Sequence, residues 1–190
     1  MKISVIVVSH QAYKDYLPQA LESLRTQTNH ELILVNNETN TLARACNAGI
    51  EESTGDYIVR VDADDWVDPQ LLSTQRQYLD EHPDIDCVWC DYWEAHPVSD
   101  STYVLEHHPN EELEHACGAM YRRDVWETLK YDEDLEYQES YDCWQRFKRS
   151  GYKAARIPLG LYFYRKGHQS MSTNPERDRV RAELQSKYLN

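Results

Sequence analysis

The first half of the chain alternates short, apolar runs with stretches of helical period, and this alternation constrains the fold more than any other feature. Strands are predicted at residues 3–8, 31–35, 57–61 and 86–93. Helices are predicted at residues 15–26 and 39–52, and a third opens at Asp68 and Pro69. Strand–helix alternation with short connections predicts an α/β fold, with a mostly parallel central sheet flanked by helices.

The rhythm breaks after about residue 94, where a polar stretch over residues 95–114 predicts a long loop. The predicted later elements are short: a strand at 115–121, helices at 124–129 and 140–148, strands at 153–157 and 161–164, and a charged helix at 175–189. We therefore divide the chain into a first half (1–94), a small mixed second half of the same domain (95–174) and a helical tail (175–190).

The charge of the chain argues against a nucleic-acid partner, and its hydropathy argues against a membrane-spanning segment. The chain has 20 Lys and Arg against 33 Asp and Glu, a net charge of −13, which repels phosphate backbones and argues against nucleic acid. The apolar run at residues 3–8 is far shorter than the roughly 20 residues of a membrane span, and it predicts a strand rather than a secretory signal. An odd number of cysteines, five, favours reduced thiols and a cytoplasmic protein that is soluble, with peripheral attachment to a membrane left open.

Two groups of metal-ligand residue types need to be weighed. Cys87 and Cys90 form a C-x-x-C, but they lie on a predicted strand, where positions three apart face opposite sides, so a structural role is favoured over zinc or redox chemistry. The second group could supply zinc ligands by residue type: His107, His108, His115 and Cys117. The residues between them look like a solvated loop, which is favoured over a zinc site.

Polar segments follow each of the first three strands: Ser9 and His10, then residues 36–39, then Asp62 to Asp65. In an open parallel sheet, ligands bind outside the carboxyl ends of the strands. Three carboxylates within four residues raise each other's pKa unless a positive charge lies among them, and a hard divalent cation shares such oxygens with phosphates. Helix capping by Asp65 or Asp68 is the alternative, and it accounts for one aspartate rather than three.

Several segments occur in the order and spacing of a known family. They are ISVIVVS at 3–9, NNET at 36–39, ACNAGI at 45–50, GDYI at 55–58 and VDADD at 61–65, followed by residues 118–124, 138–146 and 164–168. On these segments the chain resembles the family 2 glycosyltransferases, which have the GT-A fold. The resemblance makes residues 1–94 the half that binds the nucleotide sugar and residues 95–174 the acceptor side.

The resemblance implies transfer of a sugar, with inversion, from a nucleotide-diphosphate donor to a hydroxyl of a glycan, glycoconjugate or lipid-linked acceptor. A UDP-sugar is favoured over donors based on guanosine or thymidine. The implied contacts to the nucleotide and donor sugar are Val7, Ser9, Asn36, Asn37, Arg44, Asp62 and Ala63. Asn36 and Asn37 stand where family members usually carry Asp, and the alternative for Arg44 is an ordinary surface charge on a helix.

The resemblance also implies a metal and a base. Asp64 and His168 would hold Mn²⁺ or Mg²⁺, with Arg165 as a further contact to metal or phosphate. The family's base is the Asp of a Glu-Asp pair opening a late helix, and Ser140 occupies that position here. Glu139 is therefore the predicted base and Asp142 the second choice.

Two alternatives stay open. Because Ser140 replaces the expected base, the chain could be a catalytically weak or inactive domain that binds sugar nucleotides or glycans. Four tryptophans are candidate platforms for sugar rings, each with a place in the core as the alternative: Trp66, Trp93, Trp126 and Trp144.

Overall fold

The computed structural model describes residues 1–38, 40–99, 101–113, 116–168, 170 and 174–189. Its strands are β1 (Ile3–Ser9), β2 (Glu31–Asn36), β3 (Tyr57–Asp62), β4 (Trp66–Val67), β5 (Cys87–Ser99), β6 (Thr102–His108), β7 (Met120–Arg122) and β8 (Ala154–Arg165). Its helices are α1 (Leu17–Arg25), α2 (Leu42–Glu52), α3 (Leu71–Glu81), α4 (Arg123–Thr128), α5 (Glu139–Arg149) and α6 (Glu176–Leu189). None of the described helices has the length and apolar character needed to cross a bilayer.

The strands form one sheet in the order β2-β1-β3-β7-β5-β8-β4, and β6 pairs with β5 outside this path. The strand β1 pairs in parallel with β2 and β3, and β5 pairs in parallel with β8. The short strand β7 lies antiparallel between β3 and β5, and β4 and β6 are also antiparallel to their partners. The predicted α/β class is confirmed, but the sheet is mixed, because β7 reaches its place without the helical crossover that parallel pairing needs.

Helices cover both faces of the sheet, and alternate strand residues feed two cores. Val5 and Val7 of β1 pack with α1 and α3, whereas Ile6 packs with α2 and α5. The C-x-x-C follows the same rule, since Cys87 lies in the second core and Cys90 in the first. The five thiols are buried and unbridged, as the structural interpretation of this motif predicts.

The predicted loop over residues 95–114 is wrong. The strand β5 continues to Ser99 and pairs with β6, with Glu94 opposite Glu106. Most side chains of β6 are exposed, so the segment carries no alternation of apolar and polar residues that could reveal a strand. The two strands predicted at 153–157 and 161–164 are one strand, β8, whose register against β5 shifts beside Pro158.

Several boundaries also differ from the prediction. The helices α1 and α3 begin after Tyr16 and Gln70 rather than at Asp15 and Asp68. The Asp68 carboxylate instead accepts a hydrogen bond from the backbone of Gln70, 2.9 Å away, which makes a turn before the helix. Residues 39 and 115, predicted to begin a helix and a strand, lie outside the described residues.

Candidate functional site

The turn after β3 carries the acidic cluster, and its three carboxylates have different environments. Asp65 is fully buried, accepting hydrogen bonds from the Tyr162 hydroxyl at 2.9 Å and the Arg165 backbone N–H at 2.8 Å. Burial, and then the charges of Asp64 and Asp62, raise the pKa of Asp65 well above its ordinary value. Asp65 therefore anchors the turn to β8, while Asp62 and Asp64 line a cavity.

The structure brings together the two residues predicted to hold a metal. The Nε2 atom of His168 lies 2.8 Å from Oδ2 of Asp64, and both side chains are largely buried. The other ring nitrogen of His168, Nδ1, is shielded from solvent and makes no hydrogen bond to any residue that the structure describes. One oxygen from each of Asp62, Asp64 and Asp65 also lies within 4.8 Å of the other two. Carboxylate oxygens beside an imidazole are a donor set that fits Mn²⁺, and Mg²⁺ less well.

Arg165 supports this turn from β8. Its Nε donates to the Asp64 carbonyl at 2.6 Å, and its guanidinium lies over the rings of Tyr16 and Trp66 at 4.7 and 4.8 Å. Arg165 is only 4% exposed, and its other guanidinium nitrogens contact the Tyr103 hydroxyl and the Gln19 side chain. These contacts hold Asp64 in place, and a contact of Arg165 with metal or phosphate stays a prediction.

A cavity of about 1060 Å³ opens at the carboxyl edge of β1 and β3. Of the predicted donor and metal residues, five line it: Asn37, Asp62, Ala63, Asp64 and His168. Aromatic and imidazole rings lie on the same wall, from His10, Tyr13 and Tyr16. Its size and mixed lining suit a small polar ligand with an aromatic ring.

Four predicted donor residues do not line this cavity. Val7 is fully buried in the core and its neighbour Val8 faces the cavity instead, because adjacent strand residues point to opposite faces. Ser9 is nearly buried beside the Val35 carbonyl, and Asn36 is exposed at the end of β2. Arg44 is an exposed helix charge that pairs with Glu133 at 3.2 Å, which is the alternative that the sequence left open.

The predicted base, Glu139, is the first residue of α5 and is 7% exposed. Its Oε1 accepts hydrogen bonds from Nη1 of Arg60 at 3.1 Å and from the Ser140 hydroxyl at 2.9 Å. The residue before it, Gln138, has a φ of 65°, a left-handed conformation that ends the preceding turn and starts the helix. Ser140, which stands where the resemblance predicts an Asp, therefore donates a hydrogen bond to the neighbouring carboxylate.

Arg60, which the sequence analysis missed, joins the two halves of the site. Its Nε lies 3.2 Å from Oδ1 of Asp62, and its Nη2 contacts the sulfur of Cys117 at 2.9 Å. The Cys117 thiol in turn donates to Asp62 at 2.7 Å. Burial opposes the charge of Arg60, but the carboxylate of Asp62 holds its pKa well above the ordinary value. The available signal was a lone charge within the apolar run YIVRV.

A second cavity, of about 270 Å³, adjoins the first. It is lined by Arg60 and Glu139 at its base and by Trp144 on its wall. The two cavities share the side chains of Leu42, Asp62, Tyr137 and Tyr164. Asp62 therefore lies where a ligand in the larger cavity would meet one in the smaller.

The second candidate base, Asp142, lies elsewhere. Its side chain is fully buried, accepts a hydrogen bond from Arg146 at 2.7 Å, and meets Lys187 and Tyr188 of α6. Burial works against its charge, but the bonds from Tyr188 and Arg146 outweigh it and lower the pKa of this carboxyl. Asp142 lines neither cavity and instead anchors α6, so the structure does not bring it to the candidate site.

The structure also places the four candidate tryptophans and the candidate zinc ligands. Of the four tryptophans, Trp144 lines the smaller cavity, and the ring of Trp126 is buried in the core. Trp66 stacks on Phe163, and Trp93 donates to the Gly160 carbonyl. Cys117 is engaged at the acidic turn, far from the hairpin that holds His107 and His108, and His115 lies outside the described residues.

Comparison with known families and proteins gives consistent results. The family described as Glycosyl transferase family 2 matches residues 5–130. The chain is 25% identical to an uncharacterized glycosyltransferase of Methanocaldococcus jannaschii, covering 86% of this chain and 70% of that protein. It is 24% identical to the uncharacterized glycosyltransferase EpsJ of Bacillus subtilis (98% and 67%) and 25% identical to the amylovoran biosynthesis glycosyltransferase AmsE of Erwinia amylovora (81% and 62%). The chain thus spans about two thirds of the length of these relatives.

Solved structures share the fold. The structure of S. aureus TarS 1–349 in complex with UDP-GlcNAc superposes with a TM-score of 0.75 at 16% identity, covering 100% of this chain and 67% of that one. The mannosyltransferase PcManGT from Pyrobaculum calidifontis, in complex with GDP-Man and Mn²⁺, superposes with a TM-score of 0.60 at 15% identity, covering 85% and 56%. At these identities the similarity establishes the architecture, and the ligands belong to those proteins.

Proposed function

This chain belongs to glycosyl transferase family 2, and we propose that it moves a sugar from a nucleotide-diphosphate donor to an acceptor hydroxyl by a single displacement with inversion. The family and the GT-A type of fold agree with the resemblance found in the sequence. The observation that carries the proposal is the bridge from Asp62 through Arg60 to Glu139, at the junction of the two cavities.

The donor would occupy the larger cavity. Its base and ribose would lie near Asn37 and the rings of Tyr13 and Tyr16, and its sugar would approach Asp62. Asp64 and His168 are the residues that would hold Mn²⁺ or Mg²⁺, and the cation would offset the charge of the departing nucleoside diphosphate. We favour a UDP-sugar, since TarS binds UDP-GlcNAc, with a guanosine donor next, since PcManGT binds GDP-Man.

Glu139 would act as the base toward the acceptor. Its carboxylate takes the proton of the acceptor hydroxyl while that oxygen bonds to the anomeric carbon. The bond from the anomeric carbon to the diphosphate oxygen breaks, and its electron pair leaves with the nucleotide. Arg60 keeps the Glu139 carboxylate oriented and places a fixed positive charge between Asp62 and the base. Arg60 is therefore a positioning residue.

The acceptor would enter the smaller cavity as the hydroxyl of a glycan, glycoconjugate or lipid-linked molecule. Trp144 offers an aromatic face to a sugar ring, and cations from α5 and α6 line the same cavity: Lys148, Arg177 and Arg181. Outside the bridge from Asp62 to Glu139, these three cations face one carboxylate among the described residues of the cavity lining, that of Glu112. In a chain with a net charge of −13, this local excess of cations favours an acceptor that carries an acidic group. Replacing Lys148 by Glu should raise KM for acidic acceptors more than for neutral ones.

A non-catalytic domain that binds sugar nucleotides is the second candidate, because Ser140 stands where the family's base is expected. Slow hydrolysis of a UDP-sugar by the wild-type protein separates the two candidates. Hydrolysis that is lost in Asp64→Asn supports the enzyme, whereas donor binding without any turnover supports the binding domain.

Calorimetry of UDP and GDP binding, with Mn²⁺ or with EDTA, tests the donor site. Asp64→Asn should weaken Mn²⁺-dependent binding by at least about tenfold, since it removes a metal ligand. Asp68→Asn is the matched control, because Asp68 lies four residues further along and lines neither cavity. Equal losses in both variants, or none in Asp64→Asn, would contradict the assignment.

A further inference from the structure

One face of the β5–β6 hairpin carries two histidines and two glutamates. Glu94 of β5 is paired directly with Glu106 of β6. His96 lies two residues beyond Glu94, and His108 two residues beyond Glu106. Because strand residues two apart share a face, the hairpin presents all four side chains on the same side.

The four side chains converge without hydrogen bonds between histidine and glutamate. The Nε2 atom of His96 lies 3.4 Å from Oε2 of Glu94 and 3.9 Å from Oε2 of Glu106. The Nε2 atom of His108 lies 3.8 Å from Oε2 of Glu94 and 3.7 Å from Oε1 of Glu106. Both Nε2 atoms are shielded from solvent, and neither makes a hydrogen bond within the described ranges of the chain.

These separations are longer than hydrogen bonds and lie at or just above the spacing of ligands around a cation. Hydrogen-bonded nitrogen and oxygen atoms lie about 2.7–3.2 Å apart, closer than any of the four pairs. Ligand atoms about 2.0–2.2 Å from a tetrahedral zinc ion lie about 3.3–3.6 Å from one another. One ligand atom from each of Glu94, His96 and Glu106 lies within 4.8 Å of the other two, so a single ion can reach all three after small side-chain adjustments.

We propose that this hairpin face is a second metal site, in which Glu94, His96 and Glu106 bind a transition-metal cation of the Zn²⁺ class. An imidazole beside two carboxylates favours Zn²⁺ over the harder Mg²⁺ and Ca²⁺. His108 lies outside this group of three. The ring of His108 is held by stacking on Tyr92, with centroids 5.3 Å apart. The site is separate from Asp64 and His168, and it does not depend on the proposed function.

The charged groups around the site are compatible with a bound dication. Lys166 contacts Oε1 of Glu94 at 3.2 Å, which leaves Oε2 of Glu94 facing both histidines. Glu106 is 65% exposed in its side chain, which gives an ion a path from solvent. The competing arrangement has protonated histidines that pair with the glutamates, and it needs no metal.

A bound ion would fix the hairpin beside the segment that carries Arg165 and His168. The backbone N–H of Lys166 donates to the Ala95 carbonyl of β5 at 3.0 Å, and Arg165 contacts the Tyr103 hydroxyl of β6. His168 lies two residues after Lys166 and lines the donor cavity. The ion would thus tie the exposed strand β6 to the sheet close to the donor cavity.

Titration of the metal-free full chain with Co²⁺ tests the proposal. Tetrahedral Co²⁺ gives intense visible d–d bands, whereas an octahedral site rich in carboxylates gives weak ones. We expect intense bands that persist in Asp64→Asn and that stoichiometric Zn²⁺ abolishes. His96→Ala and Glu106→Gln should each weaken the binding by at least about tenfold. Glu106→Gln changes an exposed side chain, so it keeps the test valid if the histidine variant does not fold.

His107→Ala is the matched control. His107 lies on the same strand but faces the other way, toward Asp91 at 3.5 Å, so this variant should bind Co²⁺ as the wild type does. Weak bands alone in the wild type, or equal binding by the wild type and Glu106→Gln, would overturn the proposal in favour of ion pairs. Loss of the bands only in Asp64→Asn would place the ion at the donor cavity. Donor binding by calorimetry is read separately and is expected to survive in Glu106→Gln.

Discussion

Replacing Glu139 by Gln removes the proposed proton acceptor while leaving its surroundings nearly unchanged. The amide oxygen of Gln has the same reach as Oε1 of Glu139, so it can still accept from Arg60 and Ser140. Arg60 also keeps its contact with Asp62, 3.2 Å away, and is not left as an isolated buried charge. The variant therefore separates the chemistry of the carboxylate from its role in packing.

The expected losses of turnover and of folding free energy differ in size. A general base contributes about 10²–10⁴-fold to the rate, which corresponds to about 3–5 kcal/mol of activation free energy. The Arg60 and Glu139 side chains are only 11% and 9% exposed, so replacing their charged hydrogen bond by a neutral one should cost up to about 1–3 kcal/mol of folding free energy. Turnover should fall by at least about a hundredfold in a protein that stays folded.

The assay is release of nucleoside diphosphate at saturating donor, combined with donor affinity by calorimetry and Tm. Asp142→Asn is the matched control, since it changes an acid on the same helix that faces α6 rather than the cavities. Glu139→Gln should lose kcat and keep donor affinity, whereas Asp142→Asn should lower Tm and keep kcat. Wild-type turnover in Glu139→Gln, or loss of turnover in a folded Asp142→Asn, would refute the assignment of the base.

Three other substitutions test contacts in and around the site. Arg60→Met should lower kcat by at least about tenfold with a smaller change in donor affinity, as stopped assays and calorimetry would show, because it removes the group that orients Glu139. The pKa of Asp142 is lowered by folding, so its contribution to stability is complete above its unfolded pKa of about 3.9 and is lost as pH falls through the folded value. Urea unfolding between about pH 2 and 5 should therefore show a shallower loss in Asp142→Asn than in the wild type. Gly118 has a φ of 76°, and a Cβ there would lie 2.5 Å from the ring of Tyr162, so Gly118→Ala should cost at least about 1–3 kcal/mol in the same unfolding experiment.

Local pattern was enough for the first three strands of the fold. The strands predicted at 3–8, 31–35 and 57–61 each end within one residue of β1, β2 and β3. The strands β1 and β3 are apolar and mostly buried on both faces, whereas β2 buries only Ile33. Each of the three is followed by a polar turn, so the local signals of β1 and β3 agree with the tertiary structure. The approach of Asp64 to the carboxyl edge of the sheet followed from the same topology.

The β5–β6 hairpin could not be predicted in this way. Most of the side chains of β6 are exposed, so its pattern is polar on both faces, and its pairing is set by the neighbouring strand rather than by a buried stripe. Glu94, His96 and Glu106 become a group only once Glu94 and Glu106 are known to be paired. Residue types alone grouped His107 and His108, which face opposite sides of the strand, with His115 and Cys117.

The exchange at Ser140 shows where sequence and structure need each other. Read as a motif, Ser140 is the loss of a base; in the structure its hydroxyl donates to Glu139 at 2.9 Å. An Asp at this position would place a second carboxylate beside Glu139, and like charges so close cannot both ionise easily. Arg60, 79 residues away in the chain, supplies one guanidinium to Asp62 and Glu139 together. Serine leaves this cation to Glu139 alone at the start of α5, so the charges around Glu139 are consistent with the proposed shift of the base to this residue.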